Sequence, residues 1–320
     1  MLWGDGMVMG FENIVFVSNM GEDTISIVDL NDMKEQNKIY LNHGRYFRTI
    51  KKPILGPHHI TIDYNNKYLY TTNTHAGAIS IIDLILNRVV DEIYVGSCPT
   101  HMEICKKNKS MYVSNADSNS ISVIDLESRV LQAQIPVGGM PHDVKLSRDG
   151  QRIYVTNLDS NALTVIDTES NDIEKSIRVN LNPYHLILND KGNLLFIVNT
   201  SFSAIEGGSV TIFDTHYMRI VERIRLGRMP MEGVLDEGEK HLFITDADLN
   251  AVHILRIEDR KLVGRINVGR MPNSIMKDRH NQYILVSNIQ DNTLTVIDMR
   301  QWKVIETITT GIEPGGILCI

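Results

Sequence analysis

The phrase Tyr154-Val155-Thr156-Asn157, followed after a polar turn by Leu163-Thr164-Val165-Ile166-Asp167, occurs along the whole chain in closely related forms. It returns as Tyr112 to Asn115 with Ile121 to Asp125, and as Leu285 to Asn288 with Leu294 to Asp298. With the closing Asn as a marker, the series is Asn19, Asn73, Asn115, Asn157, Asn199, Asp246 and Asn288. Four of its six intervals are 42 residues long. A Pro stands 16 residues before each marker from the second onward: Pro57, Pro99, Pro141, Pro183, Pro230 and Pro272, with Pro314 beginning one more unit. A fixed period of this length is the signature of a repeat architecture, in which each unit buries its apolar faces only against its neighbours.

Each unit contains four short runs rich in Val, Ile and Thr. In the third repeat they are His142 to Leu146, Arg152 to Thr156, Ala162 to Asp167 and Ile173 to Val179, separated by turn formers such as Asp159-Ser160-Asn161. Four antiparallel strands in 40 to 45 residues make a propeller blade, and seven blades close a ring. Closure is testable from the ends. Gly315 to Ile320 fill the place of the first unit's inner strand, so the first blade is shared between residues 10–41 and 315–320. The expected fold is therefore all-β, a seven-bladed β-propeller of four-stranded antiparallel blades, sealed by its C-terminal strand, with residues 1–320 as a single domain.

The repeated phrase, in the form it takes at Tyr154 to Asn157, resembles that of the YVTN-type β-propeller repeat proteins, and the resemblance runs over essentially the whole chain. It implies the fold and says little about activity, because the same ring hosts surface proteins, lactonase-like hydrolases and haem d1-type propellers. The last are usually eight-bladed, which the count of seven disfavours.

Composition removes other classes. The 39 carboxylates outnumber the 32 Lys and Arg, for a net charge of −7, and no basic block is present, so nucleic acid is not an expected partner. Three Cys with no knuckle spacing imply neither a disulfide framework nor a metal finger. No run of eighteen apolar residues occurs, and the first twelve residues include Asp5 and Glu12 instead of a basic lead into an apolar stretch. A cytoplasmic chain without a membrane partner is the expectation.

Most repeated residues are scaffold. The marker Asn and the repeated Asp (Asp29, Asp83, Asp125, Asp167, Asp214, Asp298) end strands, where their side chains hold the following turns. One column differs. The second residue after each Pro reads His59, His101, Asp143, His185, Glu232, Ser274 and Gly316 around the ring. Strand alternation points this column at the central channel, with the first, third and fifth residues packed between blades. Three imidazoles with two carboxylates are a donor set for Zn²⁺, Fe²⁺, Mn²⁺ or Cu²⁺. The expected metal ligands are thus His59, His101, His185, Asp143 and Glu232, with Asp143 or Glu232 as general base. Ser274 and Gly316 are expected to leave room for water or substrate. A water-filled channel with hydrogen-bonded histidines, and metal-free acid/base chemistry, are the competing readings.

Two departures from the 42-residue spacing, twelve residues before Pro57 and five between Thr200 and Gly208, are expected to crowd the channel mouth. Arg45 and Arg48 in the first insertion, Arg228 and Arg270 in inter-blade turns, and His75 nearby suggest a basic rim for a small anionic substrate. The expectation is a metal-dependent enzyme acting on that small molecule. The alternatives are a non-catalytic scaffold that binds a protein or peptide on its top face, or a lactonase-like hydrolase.

Overall fold

In the computed structural model, which describes residues 13–42, 53–202 and 207–320, every regular element is a β-strand. Numbered in chain order, β1 (Ile14–Asn19), β2 (Thr24–Asp29) and β3 (Lys34–Tyr40) belong to blade 1. Blades 2 to 7 take four consecutive strands each, from β4 to β27. Their inner strands are β4 (Pro57–Ile62), β8 (Pro99–Cys105), β12 (Pro141–Leu146), β16 (Pro183–Leu188), β20 (Pro230–Leu235) and β24 (Pro272–Lys277). The last strand, β28 (Pro314–Cys319), completes blade 1 by pairing antiparallel with β1, Phe16 opposite Leu318 and Val17 opposite Ile317. The expected seal is present: four-stranded antiparallel sheets form all seven blades, and the ring is shut by its C-terminal strand.

The core lies between blades. Tyr154, Leu163 and Val165 of blade 4 pack on Leu186, Leu188, Leu195, Ile197 and Phe213 of blade 5, all of them buried. Full burial of one such side chain contributes about 1.5–3 kcal/mol. The outer strands behave differently. Arg219–Arg225 alternates exposed and half-buried residues along its length, as a strand with one solvated face does.

The repeated polar residues anchor this packing. Each repeated Asp accepts the backbone N–H groups of its turn, as Asp167 does from Glu169 and Ser170 at 2.9 and 2.8 Å. The marker Asn reaches across the sheet to the hydroxyl seven residues on, Asn157 to Thr164 at 2.9 Å and Asn288 to Thr295 at 2.8 Å. This also accounts for a repeated Gly. A Cβ on Gly96 would stand 2.6 Å from Asn115 Cγ, so the marker side chain occupies the volume a larger residue would need.

The inner strands do not keep the simple alternation. Register slips near their starts: Pro141 pairs with Asn157, but Val144 pairs with Val155, so three inner residues span two on the neighbour. The same bulge recurs in blades 1, 2, 3, 6 and 7. A bulge leaves one N–H outside the ladder and re-aims the side chains beside it. Here the hydroxyl of the repeated phrase satisfies that N–H. Thr156 Oγ1 accepts from Asp143 N at 2.9 Å and donates to Tyr184 O in the next blade at 3.1 Å. Ser114 does the same between His101 N (3.0 Å) and His142 O (2.7 Å), and Thr245 between Glu232 N (3.1 Å) and Asn273 O (2.7 Å). Blade 5 has Val198 at this position, and there the ladder resumes one residue earlier, with His185 opposite Val198. One hydroxyl thus closes a bulge and joins two blades, directly beside the channel column.

Candidate metal centre in the channel

The column begins with backbone placement. His59 N and His101 N are held by Thr72 Oγ1 and Ser114 Oγ at 2.9 and 3.0 Å, so each side chain leaves its bulge in a set direction. Among the described residues, His101, His185 and Glu232 bring one ligand atom each to within 4.8 Å of one another. They come from blades 3, 5 and 6. His101 is 3% and Glu232 6% exposed.

The surrounding bonds fix the donor atoms. His101 Nδ1 lies 3.1 Å from His142 O. A carbonyl only accepts, so Nδ1 carries the proton, and in the neutral ring Nε2 is left with its lone pair, 3.6 Å from Glu232 Oε1. Glu232 Oε2 accepts from Ser274 Oγ at 2.8 Å. Asp143 takes a different part. Its Oδ1 accepts from Val144 N and its Oδ2 from Leu186 N, both at 2.7 Å, and Oδ2 stands 3.0 Å from His185 Nδ1. It therefore backs His185 instead of joining the three-donor group. His59 lies beside that group and outside it, its ring centroid 4.8 Å from that of His101.

Charge follows from this placement. Burial by itself drives Asp143 toward the neutral acid, but the neighbouring His101 and His185 hold it well below the usual carboxylate range. Glu232 is depressed in the same way, against the cost of burial, by His185 and by the hydrogen bond and charge of His101. Burial disfavours charge on His101, yet Asp143 and Glu232 raise it. His58 falls to about 4, and His59 and His142 fall well below the ordinary imidazole value, each through burial first and the His101 charge second. Two carboxylates thus keep their charge inside the ring, next to the positive charge that His101 and His185 supply.

A cavity of about 420 Å³ adjoins the donors. His59, His101, Asp143, His185, Glu232 and Ser274 line one end of it. Arg148, Asp190, Asp236 and Glu239, in the turns that follow the inner strands, line the other. The cavity therefore reaches solvent at the ends of the inner strands, opposite to the face where the insertions emerge. This corrects the expected mouth. Of the residues preceding the column, Thr100, His142, Met231 and Asn273 are at most 6% exposed, whereas His58 and Tyr184 are half-buried.

Several expected site residues lie elsewhere. Arg228 and Arg270, before the inner strands, pair with Asp248 at 2.9 Å and Asp291 at 2.5 Å and do not line the cavity. His75 is exposed in a turn of blade 2 on that same face, with its N–H on Leu55 O. Arg45 and Arg48 lie outside the described residues. The room expected at Ser274 and Gly316 is present only in part. Ser274 lines the cavity and is bonded to Glu232, but a Cβ on Gly316 would stand 2.5 Å from His58 O, so its smallness serves the close approach of β28 to β4. The bulge also changes the neighbours of His58 and His142. Their rings meet His101 at 5.3 and 4.9 Å, and His142 stacks on Tyr184 at 3.7 Å. Sequence reasoning passed over the hydroxyls of Thr72, Ser114, Thr156 and Thr245. The recurrence of Ser or Thr as the third letter of the phrase was the available signal.

Ring and column together define a seven-bladed β-propeller repeat protein whose channel carries a buried cluster of histidines and carboxylates. Within that class, the YNCE-like beta-propeller family matches residues 100–193. No curated protein sequence matches the chain significantly. Among solved structures, the chain is similar to Kuenenia stuttgartiensis hydrazine synthase, with 20% identity and a TM-score of 0.75 over 85% of this chain and 91% of that one. It is also similar to a putative 6-phosphogluconolactonase from Bacteroides fragilis, with 15% identity and a TM-score of 0.77 over 98% and 99%. A functionally unknown protein from Desulfotomaculum acetoxidans has 14% identity and a TM-score of 0.79 over 96% and 99%. At these identities the likeness is one of fold. No helix among the described residues is long and apolar enough to cross a membrane.

Proposed function

We propose that the chain is a metal-dependent enzyme that holds a divalent transition ion through His101, His185 and Glu232 and acts on a small polar molecule in the adjoining cavity. The observation that carries this reading is the convergence of those three donors within 4.8 Å at the inner end of a solvent-connected cavity. Two imidazoles and one carboxylate leave coordination positions open for water or substrate, as catalytic ions require. The donors themselves are well suited. His101 presents Nε2 because its Nδ1 is on a backbone carbonyl, and Asp143 backs His185 as an outer-shell carboxylate. Bound there, the ion would polarise a ligand oxygen or lower the pKa of water, while the chain's own part is to fix the donors and enclose the site.

The basic rim is not carried into the proposal, because its described arginines pair with acids away from the cavity. The substrate is left as a small polar molecule. The test is metal content after reconstitution with Zn²⁺, Fe²⁺, Mn²⁺ or Cu²⁺, measured by mass spectrometry on the wild type and on His101→Ala and His185→Ala. One ion per chain, lost in both variants, is expected. A wild type that takes up no stoichiometric ion overturns the reading. The identity of the ion then separates hydrolysis on zinc from oxidative chemistry on iron.

A further inference from the structure

We infer that His59 is the side chain that hydrogen-bonds the molecule held on the metal, and not a further ligand to the ion. This rests on the metal reading above and assigns a role in the same site.

The inference comes from an account of partners. His58, His101 and His142 each set Nδ1 against a backbone carbonyl of the next blade, at 3.3, 3.1 and 3.0 Å. His59 does not. Its Nδ1 is buried and has no hydrogen-bond partner, although its backbone N–H is tied to Thr72 Oγ1. The corresponding carbonyl of the next blade, Thr100 O, already takes Thr72 Oγ1 at 2.7 Å and His58 Nδ1 at 3.3 Å. Gly316 on one flank has no side chain to offer, and His101 on the other has its Nδ1 committed to His142 O. A buried polar atom left unpaired is costly, and such atoms mark places where an ion, water or ligand completes the site.

The ion does not fill this role directly, because His59 stands outside the group of donors that converge. Yet His59 lines the same cavity, and its ring touches that of His101. His185 Nδ1 also lacks a hydrogen bond, but it faces Asp143 Oδ2 at 3.0 Å and its ring belongs to the donor group, so a small molecule on an open position of the ion is left His59 as the imidazole to bond. That makes His59 a substrate-contacting residue with a distinct signature: its loss weakens the exogenous ligand and leaves the ion in place.

The test uses the full chain loaded with Co²⁺ as a spectroscopic probe and titrated with azide. Metal stoichiometry is measured first, in the wild type, His59→Phe and His59→Asn, with circular dichroism to confirm folding. The expected result is unchanged stoichiometry in all three, with azide binding about tenfold weaker in His59→Phe, since an unpaired partner costs about 1–3 kcal/mol and tenfold is about 1.4. His59→Asn, which retains a donor and an acceptor, should recover part of that loss. Loss of the ion from a folded His59 variant makes His59 a ligand and overturns the inference. Equal azide affinity in all three proteins overturns it as well. Failure of the wild type to bind Co²⁺ at the first step is a different outcome and refutes the metal reading itself.

Discussion

Replacing Thr156 with Val removes one hydroxyl at nearly constant volume and tests the bridge between blades. Thr156 has no exposed surface, and its Oγ1 is the partner of Asp143 N at 2.9 Å. In the variant that amide has lost its acceptor inside a bulge, where the neighbouring strand presents no carbonyl to replace it. Tyr184 O, the other partner, keeps the His142 Nδ1 bond at 3.0 Å, so the loss falls mainly on the amide. An orphaned buried donor costs about 1–3 kcal/mol, and about 2 kcal/mol is expected here. With an unfolding entropy of about 2.1 cal/mol/K per residue over 320 residues, this corresponds to a Tm lower by about 3 °C. Far-UV circular dichroism during heating measures it, with Val198→Thr as the control. Adding a hydroxyl in blade 5 should gain little, since His185 already pairs with Val198. A Thr156→Val loss below about 0.5 kcal/mol, the scale of an ordinary surface change, would refute the bridging role.

Asp143→Asn should weaken metal binding about 10- to 100-fold in calorimetric titration while leaving one site per chain, because it removes the charge behind His185 and spares the donors. Gly96→Ala should destabilise the ring by about 1–3 kcal/mol in urea unfolding through the clash with Asn115 at 2.6 Å, whereas Gly238→Ala, whose Cβ would meet only Lys240 at 3.7 Å, should be near neutral. Metal-free protein should lose stability in mild acid. His58, His59 and His142 have folded pKa values below the unfolded one, so the stability they hold is complete above about pH 6.5 and falls as pH drops toward the value of about 4 at His58. His101, raised instead, works in the opposite sense: its contribution is complete below about pH 6.5 and is lost as pH rises beyond it. One histidine opposes three, so urea midpoints should decline between pH 7.5 and 5. Equal midpoints at those two values would show that the buried imidazoles do not govern acid sensitivity.

The blade count, the seal at β28 and the column itself were legible because a 42-residue period repeats their signals several times over. Pro57 to Pro314 mark one register around the ring, and the residue two places on is the same structural position in every blade but the fifth, where it already pairs with its neighbour. Less could be read at the single blade. Strict alternation treats the first residues of β12 as an ordinary strand, and the bulge at His142 and Asp143 breaks it. The direction of the cavity was hidden for another reason. Loop length shows which face carries the insertions, but the cavity is lined by the turns after the inner strands, at Arg148, Asp190, Asp236 and Glu239, which carry no extra length. Gly316 misled because smallness has two physical uses, an open space or a close backbone approach, and the distance to His58 O selects the second. Within the column, Asp143 and Glu232 looked equivalent as letters. Two amide bonds at 2.7 Å separate them.

The pairing of β28 with β1 has a consequence for when the channel cluster can form. His101, His185 and Glu232 stand on the inner strands of blades 3, 5 and 6, which take their places around the axis of the closed ring. A growing polypeptide on the ribosome has all three donors in hand well before β28 has been made, yet it has no finished channel to gather them. On the metal reading proposed above, capture of the ion would wait for the last strand, and a bound ion would report that the circle has been completed.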